Sequence, residues 1–61
     1  MNDAELENLY GELCRTLTEA GPERARLLLA RFALLAMQRI DDAAEVRRLL
    51  GEATAAARHD G

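Results

Sequence analysis

The stretch Pro22–Ile40 limits what this chain can fold into more than any other, because of the run from Leu27 to Met37 at its centre. Of those eleven residues only Arg31 is charged. On a helix turning about 100° per residue, Arg24, Arg31 and Gln38, each seven apart, fall on one line. That line is the helix's polar stripe. Ala25, Leu29, Phe32, Ala36 and Ile40 form one apolar face, and Leu27, Ala30, Leu34 and Met37 form a second. A surface helix needs one apolar stripe, whereas a helix apolar nearly all round belongs inside something. The remainder of a 61-residue chain is too short to cover both faces. The expected fold is all-α: a three-helix hairpin or bundle with a strongly apolar central helix, completed by oligomerisation.

Length supports the same expectation. Residues 1–61 make a single helical domain, and a chain this short buries only about 60% of its unfolded surface. Disulfides, metals or oligomerisation usually compensate. One cysteine excludes an internal disulfide, and no group of residues has the spacing of a structural zinc site. Oligomerisation is the remedy left. The abundance of Ala, Leu, Glu and Arg, with one Pro and few β-branched residues, is helical in character. Cys14, with no secretory signal before it, fits a reducing cytoplasm.

Eleven acids against eight bases give a net charge of −3, and every base is Arg. Nucleic-acid binders need a concentrated basic footprint, so neither nucleic acid nor a DNA-binding helix-turn-helix is expected. A membrane span needs about 20 consecutive apolar residues. The central run is shorter, and Arg31 interrupts it. No membrane partner is expected.

The chain divides into helices over about 3–20, 22–40 and 42–58. Asn2 is placed to cap the first, with Glu5 completing a capping box, and Met1 with Leu6 has the spacing of a hydrophobic staple. Leu6, Leu9, Tyr10, Leu13 and Leu17 recur three and four apart on one stripe. Gly21 suits a helix end and Pro22 the first position of the next helix. So short a joint predicts an antiparallel hairpin. Asp41 can take the left-handed conformation that ends a helix. Asp42 can cap the third helix, whose apolar face is Val46, Leu49, Leu50, Ala53 and Ala57. Residues 59–61 are expected to fray.

The residues that could carry chemistry read more simply as structure. His59 is the only histidine and lies in the expected fraying tail, where nothing holds a general base or ligand rigid. Cys14 reads as a small half-buried apolar side chain, since nothing beside it lowers a thiol pKa. Asp41, Asp42 and Glu45 read as caps rather than a calcium site, which gathers more oxygens along a loop. Tyr10 reads as core. Arg24, Arg31 and Arg39 read as a solvated stripe, or as partners of the first helix's Glu residues, in preference to an anion pocket. No phosphate loop, catalytic triad spacing, HExxH or CxxC occurs. No catalytic, cofactor-binding or metal-binding residue is assigned.

The strings Gly21-Pro22-Glu23-Arg24, Leu29-Ala30-Arg31-Phe32-Ala33-Leu34-Leu35-Ala36-Met37 and Ile40-Asp41-Asp42 resemble a family of short proteobacterial proteins of unknown function. Some of its members carry the label biphenyl-2,3-diol 1,2-dioxygenase III-related protein. The resemblance runs from about Leu9 to Ala57, and the family commonly has Gly where this chain has Asp41. It implies a small accessory partner of aromatic-compound degradation enzymes. It does not imply ring cleavage, because extradiol dioxygenases hold iron through two His and a carboxylate, and this chain has one His.

The function expected is that of a non-enzymatic helical interaction protein that self-associates, most simply as a dimer. Its interface is placed on Leu27, Ala30, Arg31, Leu34 and Met37, with Leu28 and Leu35 as candidates to extend it, so Leu34→Glu is expected to give monomer or insoluble chain. Two other roles stay open: an accessory subunit docking on a partner enzyme, and, further off, a small-ligand or metal-binding enzyme component.

Overall fold

Asn2 starts the first helix, and it does so reciprocally. In the computed structural model, which describes residues 1–59, the Glu5 N–H donates to Asn2 Oδ1 at 2.8 Å and the Asn2 N–H donates to Glu5 Oε1 at 3.0 Å. Two otherwise unpaired N–H groups are thereby satisfied. Helix α1 runs Asp3–Ala20 and stops at Gly21. There φ is 86° and ψ 160°, a region that in practice only glycine occupies. The Gly21 N–H donates to the Thr18 carbonyl at 3.3 Å, and its own carbonyl accepts from Ala25 N–H at 2.8 Å. One residue therefore ends α1 and begins α2, which runs Pro22–Ile40. Pro22, lacking an N–H, costs nothing at the first helical position.

Asp41 ends α2 in the left-handed conformation (φ 53°, ψ 40°), its N–H donating to the Met37 carbonyl at 2.9 Å. Helix α3 is Ala43–His59. It begins one residue later than the sequence suggests, because Asp42 stands outside as the cap, its Oδ1 accepting from Glu45 N–H at 3.2 Å. The Glu45 carboxylate turns forward instead of back, forming a two-pronged pair with Arg48 at 2.6–3.2 Å. At the other end the helix includes His59, since Ala55-Ala56-Ala57-Arg58 are strong helix formers. Asp60 and Gly61, the rest of the expected fraying tail, lie outside the described residues.

A left-handed residue other than glycine carries a conformational penalty of about 1 kcal/mol. Asp41→Gly is therefore expected to stabilise the chain by about 0.5–1 kcal/mol. Urea denaturation at fixed chain concentration checks this; an unchanged or lowered midpoint contradicts it.

The protein is all-α, with three helices in sequence. Helices α1 and α2 form an open helical hairpin whose arms meet chiefly beside Gly21. Leu13, Leu17 and Ala20 of α1 and Ala25, Leu28 and Ala36 of α2 are half-buried. Helix α3 meets α2 beside their joint and does not approach α1. The molecule is consequently open. Its radius of gyration is 12.9 Å, against about 10.5 Å for a compact chain of this length. No described residue is fully buried.

Candidate interaction surface

The side of the hairpin that α3 leaves bare is a shallow apolar trough. Phe32 stands at its middle and lines both of its depressions. One, about 520 Å³, has Met1, Leu6, Leu9, Tyr10 and Leu13 on the α1 side, with Glu12 among its walls. The other, about 680 Å³, is formed by Ala20, Leu27, Leu28 and Leu35, with Arg24 and Arg31 among its walls. The exposed surface of this second depression is almost wholly apolar. Phe32 is 53% exposed. A side chain of that size gains most from burial, yet neither helix of its own hairpin closes over it.

The five residues placed at an interface from the sequence are all exposed. Leu27 and Leu34 are each 55% and Met37 41% exposed, and Ala30 and Arg31 are also open. They do not share one environment. Leu27 and Arg31 border the trough with Leu28, Phe32 and Leu35. Met37 instead sits with Val46 and Arg47 at the joint between α2 and α3. Leu28 and Leu35 are the sequence's additional candidates for the face on α2, whereas nothing in it places Leu6 and Leu9 on such a surface. The signal that marks their side is the sevenfold spacing of Glu5, Glu12 and Glu19 along α1, parallel to that of Arg24, Arg31 and Gln38 along α2.

Other expectations are corrected. Cys14 is exposed, not half-buried, because it lies outside the α1 stripe that turns toward α2. Tyr10 is 66% exposed, not core, because α3 does not reach α1 to cover it.

The charged groups sort themselves plainly. Asp41 ends a helix, Asp42 caps one, and Glu45 pairs with Arg48. That pair is the ion pair formed among the described residues. Arg24, Arg31 and Arg39 therefore reach none of the α1 carboxylates within their own copy. Among the described residues no three His, Cys, Asp or Glu side chains are grouped to hold a metal ion. No helix is long and apolar enough to cross a membrane. No protein-family model, curated protein or solved structure matches the chain.

Proposed function

We propose that this chain is a non-enzymatic helical interaction protein that works in the cytoplasm and self-associates, most simply as a two-fold dimer. The observation that supports this is surface area. A compact monomer of 6.7 kDa exposes about 3,900 Å², whereas this chain exposes 5697 Å², a surplus of about 1,800 Å². A standard interface removes about 800 Å² from each partner. The surplus is ample for one such seam, and large apolar side chains stand exposed to supply it, among them Leu6, Leu9, Leu27, Phe32 and Leu35. Large apolar side chains exposed side by side along such a trough mark a binding face. The strongly apolar character of the central helix finds its reason there. The resemblance to the proteobacterial family adds a setting, an accessory role beside aromatic-compound degradation enzymes.

Sedimentation equilibrium of the intact chain over a wide dilution series tests the reading. The expected result is a species of twice 6.7 kDa that dissociates on dilution. A single monomeric species at every concentration, still helical by circular dichroism, rejects it.

A further inference from the structure

The two helices of the hairpin carry opposite charge. Helix α1 has Asp3, Glu5, Glu7, Glu12 and Glu19 against Arg15 alone; α2 has Arg24, Arg26, Arg31 and Arg39 against Glu23 alone. Within each helix the outer charges are spaced by seven, a rise of about 10.5 Å per step. Glu5, Glu12 and Glu19 make one line and Arg24, Arg31 and Gln38 the other. In a single copy the two lines do not meet. The side of α1 turned toward α2 is held by Leu13, Leu17 and Ala20. Glu12 lies roughly 100° or more around the helix from Leu13 and Leu17. Glu12 and the two arginines instead flank the open trough from opposite outer edges, with Phe32 between them.

Resting on the proposed self-association, we infer that the trough is covered by the same trough of a second copy, the acidic line of each α1 lying along the basic line of the other copy's α2. The two-fold axis runs along the resulting four-helix bundle. This arrangement is self-consistent in register. With each α1 lying antiparallel along the other copy's α2 and the Gly21 joints level, residues whose numbers sum to about 43 face each other. Glu19 then stands opposite Arg24 of the second copy, Glu12 opposite Arg31, and Glu5 opposite Gln38. The acid whose carboxylate is already engaged by the Asn2 N–H faces the neutral member of the other line. Apolar residues between two flanking charged lines are how antiparallel helices select partner and register. Leu6, Leu9, Leu13, Leu28, Phe32 and Leu35 supply the seam. It lies on a different side of α2 from Ala30, Leu34 and Met37, while Leu27 and Arg31 stand at its border.

Charge exchange between copies tests the pairing. One full-length chain carries Arg24→Glu and Arg31→Glu, the other Glu12→Arg and Glu19→Arg. Each alone is expected to self-associate about 10- to 100-fold more weakly than the parent at low salt, and high salt narrows the difference. Mixed in equal amounts, they are expected to form the heterodimer in preference to either homodimer, as native mass spectrometry reads directly. Reversals that leave parental dimerisation within twofold overturn the pairing but not self-association. So does a mixture without heterodimer preference, whether or not each chain folds alone by circular dichroism. A parent chain that never dimerises overturns both.

Discussion

Phe32→Glu is expected to leave three helices in place and to abolish dimerisation. Phe32 is central to the trough and is open to solvent in the single copy, so the substitution costs little within one chain. In the proposed two-fold assembly it removes two buried rings, a loss of about 3–5 kcal/mol each. It also leaves two carboxylates related by the axis in an apolar seam, where an unpaired charge is still more costly. The combined effect takes the association out of any ordinary working concentration. Sedimentation shows it as a monomer, and circular dichroism shows whether helicity survives. Leu34→Glu supplies the contrast. Leu34 lies beyond the line of arginines, on the other side of α2, and its replacement is expected to disturb the seam far less than that of Phe32. A dimer that withstands Phe32→Glu and is lost with Leu34→Glu places the interface on Leu27, Ala30, Leu34 and Met37 instead.

Gly21→Ala is expected to lower stability by about 1–3 kcal/mol, because φ 86° with ψ 160° is a backbone state that a Cβ disfavours. Nothing lies within 4 Å of where that Cβ would stand, so the cost comes from the backbone alone. In a domain of this size each kcal/mol moves Tm by about 4–8 °C. The comparison holds only at equal chain concentration, since association also shifts Tm. The substitution bears on assembly too. The dihedral angles at Gly21 set how α2 departs from α1, and hence which side of the hairpin is open. A melting curve that overlays the parent contradicts the strain assigned to this joint.

What the sequence makes legible is local chemistry. Asn2 with Glu5, Gly21 with Pro22, and Asp41 with Asp42 mark the helix ends because capping acts over three or four residues. The left-handed state of Asp41 is a common way for a helix to end, and Asp tolerates it better than most residues. The positions of α1 and α3 around α2 are not local. Tyr10 belongs to the α1 stripe by spacing, yet it is open because that stripe is wider than the single helix packed on it. Phe32 and Ala36 share a face by periodicity, but only Ala36 is half-buried, since the hairpin is not closed over the larger residue. The two charged lines are visible as spacings of seven. That both border one trough depends on the torsion angles of a single glycine, which periodicity does not contain.

The one-residue link at Gly21 and the two-residue link at Asp41-Asp42 have a kinetic consequence. The close approaches between helices lie almost entirely beside those links, so little loop entropy opposes setting the directions of the helices. Topologies this local order themselves on the microsecond-to-millisecond scale. In the proposed dimer the slow event is then encounter between two already ordered chains, and its half-time is expected to shorten as the protein becomes more concentrated.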